Sequence, residues 1–322
     1  MSDKTAIQWT DRTFNPWWGC SRVSPACRFC YADRDARRYG FDIWRRKGPR
    51  RMLSDGNWQR PVKWDREARE AGVPAKVFCA SMADVFEDHP QVADARKRLW
   101  DLIDETPWLI WQLLTKRIEN VAKMAPWGDS WPANVWLGTS VESQRFADER
   151  IPELLAVPAA VRFLSCEPLL GPVDIGMPED HSGHARDWAG DRWEYECLDC
   201  SDAAEGTSVR WTTPSGPCVN WLICGGESGP KARPSDPAWF RSLRDQCQRS
   251  AIPFFMKQLG EWRPLRNGEY PPPGRTRTIG RPGGIPGPIL VRHGGHNGDP
   301  ATWPADLRVR EFPPQPVPAS AA

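Results

Sequence analysis

The sequence predicts an α/β fold in which parallel strands alternate with helices and close as a (β/α) barrel, full or partial. Three observations carry that prediction. Seven apolar runs have the length and β-rich composition of buried strands, stretches with helical spacing separate several of them, and nearly every run ends in small, polar or charged residues. The runs are continuous rather than alternating, as expected of strands covered on both faces. Polar groups at many strand ends suit a barrel, whose site gathers from many carboxyl ends, better than an open sheet with one crevice.

In chain order, TFNPWW is the first run and ends at Gly19-Cys20, with the helical candidate YADRDARRYG following. KVFCAS ends in Ser81 to Asp84 and leads to HPQVADARKRLWDLIDET, where Pro90 suits a first helical turn. WLIWQLL ends in Thr115-Lys116-Arg117 before KRIENVAKMA, and NVWLGTS ends in Ser140 to Glu142 before ESQRFADERIPELLA. VRFLSC reaches Glu167, VNWLICGG reaches Ser228 before DPAWFRSLRDQCQRS, and PFFMKQ ends in Lys257-Gln258. Residues 176–217 interrupt the pattern as an insertion. From residue 267 to 322 the chain is Pro/Gly-rich and expected to be extended or mobile, with DLRVREF as a short ordered piece. The expected organisation is therefore a barrel domain over 1–266, containing the insertion, and a C-terminal segment over 267–322.

The opening residues lack an apolar core behind a basic start, and no stretch approaches the ~18 apolar residues of a membrane span. A soluble, cytoplasmic protein without a membrane partner is expected. In a reducing compartment, ten cysteines point to metals or catalysis rather than to disulfides. Net charge is only +2, yet residues 34–51, RDARRYGFDIWRRKGPRR, hold eight basic and two acidic residues. Arg45, Arg46, Arg50 and Arg51 there, interleaved with aromatic rings, have the composition of a nucleic-acid surface; a solvated face is the plain alternative.

Cys20, Cys27 and Cys30 stand within eleven positions. Thiolates are soft ligands for iron–sulfur clusters or zinc. Three readings are open on the residues alone: a cluster with one iron left open, zinc with Cys79 as fourth ligand, or three buried thiols without metal. In the insertion, His181, His184, Cys197 and Cys200 have paired spacing for a second metal, zinc. The remaining cysteines read as buried apolar residues.

Cys27-Arg28-Phe29-Cys30 resembles the C-x-aromatic-C end of the cysteine motif of the radical S-adenosylmethionine (SAM) superfamily. More closely, IQWTDRTFNPWWGCSRVSPACRFCYA, LLTKR, LGTSVES, FLSCEPLLG, WLICGGESGP and FMKQLG resemble a phage and bacterial three-cysteine family of unestablished function related to that superfamily. The resemblance spans about residues 7 to 260. It implies a radical-SAM-like partial (β/α) barrel of about six to seven parallel strands. It also implies a [4Fe–4S] cluster on the three cysteines, SAM on the fourth iron, cleavage to a 5′-deoxyadenosyl radical, and an electron donor such as a flavodoxin or ferredoxin. The superfamily motif has three residues between its first two cysteines, whereas six stand here; lengthening a short loop costs less than about 1 kcal/mol.

On that resemblance, Gly225, Gly226 and Glu227 match a Gly-Gly-Glu triplet that contacts SAM, although it follows the sixth run rather than the second. Ser140 and Glu142 match a ribose contact. Lys116, Glu167 and Lys257, at strand ends, are candidate catalytic groups for a carboxylate or phosphate, or else surface charges. The expected function is a radical-SAM-like enzyme that modifies or repairs a nucleic acid or nucleotide. The alternative is a non-catalytic, zinc-stabilised nucleic-acid-binding protein.

Overall fold

The computed structural model of the protein describes residues 5–176, 184–186, 192–194, 219–229, 231–264, 276–280, 286–292 and 299–314. The strands are β1 (Arg12–Thr13), β2 (Trp17–Trp18), β3 (Arg51–Met52), β4 (Ala75–Cys79), β5 (Leu109–Thr115), β6 (Val135–Ser140) and β7 (Val161–Cys166). After them come β8 (His184–Arg186), β9 (Arg192–Glu194), β10 (Trp221–Gly225), β11 (Phe254–Gln258), β12 (Trp262–Pro264), β13 (Thr276–Gly280) and β14 (Pro286–Arg292). The helices are α1 (Tyr31–Arg38), α2 (Asp55–Ala71), α3 (Ala93–Glu105), α4 (Val121–Met124), α5 (Gln144–Leu155) and α6 (Pro237–Arg249).

Seven strands form one parallel sheet in the order β1-β4-β5-β6-β7-β10-β11. Each strand lies beside its predecessor in the chain, so the connections wind one way and the sheet curls into a half-barrel with helices outside. This is the α/β barrel that the strand and helix pattern predicts, in the partial form that the family resemblance implies. Side chains alternate across each strand and divide the core in two. Outward residues such as Val77, Leu113, Leu137 and Leu164 pack in the larger core with the helices. Inward residues Phe78, Ile110, Trp136, Phe163, Trp221 and Phe255, joined by Trp9, form an aromatic floor. Trp9 lies 4.6 Å from Phe78, centroid to centroid. Gly138 makes that floor possible: a Cβ there would sit 2.4 Å from the Phe163 ring.

Farther along the same strands the inward positions turn polar, and Lys116, Ser140, Ser165, Glu167 and Lys257 line the cavity at the carboxyl ends. One alternation thus supplies both a dry floor and a charged mouth.

The structure departs from expectation in several elements. TFNPWW is not one sheet strand: only β1 joins the sheet, and Trp17–Trp18 pair with Arg51–Met52 instead. KRIENVAKMA yields a short turn, Ile118–Asn120, and the four-residue α4. The 17-residue α2 goes unannounced because Pro61 lies inside it, and a proline there costs about 3 kcal/mol. Trp58, Pro61, Trp64, Asp65 and Ala68 share its buried face, so tertiary packing overrides the break. In the Pro/Gly-rich segment, β13 and β14 form an antiparallel sheet with β12. DLRVREF is the short ordered piece expected of it and runs along β11: Met256 N donates to Val309 O at 2.9 Å and Glu311 N to Phe254 O at 3.0 Å. It continues across the floor, where Arg310 donates to Gln8 Oε1 at 2.6 Å and Phe312 lies 5.5 Å from Trp221.

Candidate functional site

Between Trp18 and Arg51 the chain leaves the sheet as a lobe closed at its base by the β2–β3 pair. Its small core of Ala32, Ala36, Ile43, Trp44 and Met82 supports Cys20 and Cys30. Pro25 opens a single 3-10 turn, Pro25–Phe29, and α1 begins directly after Cys30. A parallel bridge between Gly19 and Ala83 and a 2.9 Å bond from the Tyr31 hydroxyl to Ser81 O pin both ends of the cysteine loop to the end of β4.

Cys20, Cys27 and Cys30 line one cavity of ≈ 190 Å³. Cys20 Sγ lies 3.4 Å from the Arg117 Nη1 donor, and Cys30 stands directly before the first residue of α1. Burial pushes the Cys20 thiol up to about 12 and raises that of Cys30, against the pull of Arg117 and Lys116 respectively. Neutral thiols facing fixed cations are matched to a soft metal, which deprotonates its ligands on binding.

Among the described residues no three His, Cys, Asp or Glu groups are placed to hold one metal ion. Cys79 is fully buried in the helix-side core, away from the cavity. The geometry therefore does not support zinc on the cysteine triad with Cys79. Of the second candidate metal site, His181, Cys197 and Cys200 lie outside the described residues, and His184 is placed by its backbone in β8.

The charged mouth is organised in pairs. Lys116 Nζ donates to Ser140 Oγ at 2.9 Å and touches no carboxylate among the described residues. Glu167 receives Lys257 Nζ on both oxygens at 2.7 Å and Gln258 Nε2 at 2.7 Å. Glu227, 5% exposed, is gripped by Arg233 through its backbone N, Nε and Nη2 at 2.8, 2.9 and 2.5 Å. Arg233 Nη1 also donates to Pro25 O at 2.9 Å, tying the Gly-Gly-Glu turn to the cysteine loop. Nothing in the residue pattern marks Arg233 for this part.

Not every expected contact reaches the cavity. Glu142 is buried behind Ser140 in a 2.9 Å ion pair with Arg150, whose Nη1 also donates to Ser140 O at 2.7 Å, so Glu142 supports Ser140 from behind. Gly225 does not line the cavity, and Gly226 does so only by its backbone. The room left by its absent side chain is filled by protein, with Leu259 O 2.4 Å from a Cβ built there. These glycines let β10 meet β11 closely rather than open space for a ligand.

The basic stretch divides as well. Arg45, Arg46 and Arg51 are exposed, and Arg51 lies over the Trp18 and Phe41 rings at 5.0 and 4.7 Å. Arg50 is corrected from surface to interior. Its side chain is 0% exposed, bonds Glu87 at 2.7 and 2.9 Å, and donates to the carbonyls of Ile43, Arg45, Gly48 and Pro49. Gly19, with φ of 114°, leaves the space this clamp needs, since a Cβ would lie 2.9 Å from Arg50 Cδ. Beside it, Arg117 bonds Asp84 at 2.8 Å and Ser21 Oγ at 2.9 Å, while Ser21 donates to Glu87 at 2.6 Å. The buried network Arg50–Glu87–Ser21–Arg117–Asp84 thus fixes the first cysteine over the strand ends.

Comparison with known proteins gives a family match, that of "Protein of unknown function (DUF5131)", over residues 4–294. No curated protein matches the sequence. Among solved structures, a variant of spore photoproduct lyase aligns over 90% of this chain and 71% of its own, at 13% identity and a TM-score of 0.40. At that level the likeness informs neither mechanism nor substrate.

Proposed function

The chain belongs to the family described as protein of unknown function (DUF5131), and from that premise we propose that it is a radical-SAM-like enzyme whose cysteine lobe holds a [4Fe–4S] cluster. The observation that carries the reading is the meeting of Cys20, Cys27 and Cys30 with Lys116, Ser140, Glu167 and Lys257 in one cavity at the carboxyl ends of a parallel half-barrel. When bound, the cluster would supply one electron to SAM, whose cleavage gives a 5′-deoxyadenosyl radical.

The chain's own residues then have distinct parts. The three thiolates hold the cluster, and Arg117 offsets their charge. Lys116, whose ammonium group has no carboxylate contact among the described residues, is the group for the SAM carboxylate, with Ser140 holding it in place. Glu167 and Lys257 form a neutral pair beside the reacting space, able to orient a polar substrate group. The aromatic floor excludes water from below, which protects a reactive species from quenching. A nucleic acid or nucleotide is the substrate class on this reading, with Arg45, Arg46 and Arg51 as solvent-facing cations of the lobe and a ferredoxin- or flavodoxin-type protein as electron donor.

Anaerobic purification with reconstitution tests the reading. About four irons and four sulfides per chain, lost together in Cys20→Ala, Cys27→Ala and Cys30→Ala, are expected, with 5′-deoxyadenosine formed from SAM under a reductant. Iron-free protein carrying zinc on these cysteines would sink it. For the mouth, Lys116→Gln should leave the iron content intact and raise the KM for SAM about tenfold or more; an unchanged KM would remove Lys116 from the site.

A further inference from the structure

A second cavity, ≈ 460 Å³, lies between α1 and residues Ser228, Gly229, Lys231 and Ala232. It shares Phe29, Cys30 and Ser228 with the cysteine cavity, so the two adjoin through one wall. Its charge is one-sided. Arg34, Arg37 and Arg38 stand at i, i+3 and i+4 on α1 and so share a helix face; Arg28 enters from the cysteine loop and Lys231 from the facing turn. The single carboxylate in the lining, Asp33, is already bonded to Arg22 at 2.7 Å and Arg37 at 2.6 Å. Arg28, Arg38 and Lys231 have no carboxylate partner among the described residues. Gly229, with φ of 106°, admits the Arg34 guanidinium: a Cβ there would lie 2.6 Å from Nη1.

Arg34 also meets Asp35 at 3.4 Å and Arg37 meets Asp42 at 3.2 Å, which leaves Arg28, Arg38 and Lys231 as the excess positive charge around one concavity, a field that favours a multivalent anion. We propose that this cavity binds phosphate esters, and that it seats the phosphates of a nucleotide or nucleic-acid strand whose neighbouring group enters the cysteine cavity. Guanidinium groups match phosphate in bidentate geometry, and the Arg28 guanidinium is held over the Phe29 ring at 5.2 Å, at the wall the two cavities share. The concave form favours a phosphate group over a broad acidic protein surface. The phosphate assignment stands on this cavity alone; delivery to the neighbouring cavity rests on the function proposed above.

Fluorescence anisotropy with labelled single-stranded DNA, competed by inorganic pyrophosphate and by AMP, tests the assignment on the full chain. The triple variant Arg34→Gln/Arg38→Gln/Lys231→Gln should weaken binding at least about tenfold and flatten the salt dependence by about 0.7 per lost phosphate contact. Arg145→Gln, exposed on α5, serves as a control and should bind as wild type. Tighter binding of the strand than of AMP identifies a strand as the source of the phosphates, and equal binding identifies a nucleotide; either supports the site. A triple variant that binds as wild type overturns it, as does displacement by polyglutamate but not by pyrophosphate. The iron content of the same preparations keeps the two proposals apart: iron retained with phosphate binding lost bears on this cavity, while iron absent with phosphate binding intact bears on the cluster.

Discussion

Arg117 shows how much of the site depends on a single side chain. It is 6% exposed, it neutralises Asp84 and approaches Glu87, and it stands against the Cys20 sulfur. Removing one partner of a buried ion pair leaves an uncompensated charge, which costs about 3–5 kcal/mol. Arg117→Ala should therefore lower the urea midpoint by that equivalent, with Arg117→Lys losing less. A midpoint within about 0.5 kcal/mol of wild type would show that the network is not structural. Gly138 is a residue of the opposite kind, needed for what it lacks. Gly138→Ala forces the Phe163 ring to move from a 2.4 Å contact, an overpacking expected to cost about 1–3 kcal/mol. Calorimetry checks the magnitude, and loss of SAM affinity in the same variant would show that the floor shapes the cavity above it.

At the scale of elements, the C-terminal segment and α6 are coupled by charge. Asp306 accepts hydrogen bonds from Arg241 and Arg244 at 2.7 and 2.8 Å, and the Arg241 bond above all lowers its pKa to about 2 from 3.8. A carboxylate depressed in the folded state gives stability that is present above its unfolded pKa and lost as pH falls through the folded one. Docking of the segment should thus be constant above pH ~4 and weaken between ~4 and ~2. Amide hydrogen exchange at Leu307 and Arg308, with backbone bonds in that segment, should accelerate over that window. Asp306→Asn should abolish the change, and an identical pH profile in the variant would exclude the ion pair as its cause.

For the whole molecule, that segment seals the half-barrel. It covers the outer edge of β11, reaches Gln8 beside β1, and sets Phe312 against Trp221 and Phe255 at the floor. An uncovered edge strand is a template for pairing with another chain. Truncation before Asp299 should therefore produce concentration-dependent association seen by light scattering, together with a lower unfolding midpoint. A truncated chain that stays monomeric and equally stable would show the segment to be dispensable.

The strand runs, the helical spacing and the polar strand ends were enough, by themselves, to determine a parallel sheet wrapped by helices and closed as a barrel, full or partial, with polar groups at its carboxyl ends. Those signals are local: hydrophobic period and side-chain alternation act over a few residues and survive in any plausible packing. The cysteine triad was legible for the same reason, as a short-range cluster. What only the tertiary structure decided was which partners meet across long separations. Arg50 and Arg51 are neighbours in a basic run, yet one is a buried clamp on Glu87 and the other lies on aromatic rings. Glu227, in the wall of the cysteine cavity, has its carboxylate held by Arg233, and α2 persists around Pro61 because its buried face outweighs the break. Burial and pairing energies depend on distance in space, and no residue pattern records which distant carboxylate will neutralise a given arginine.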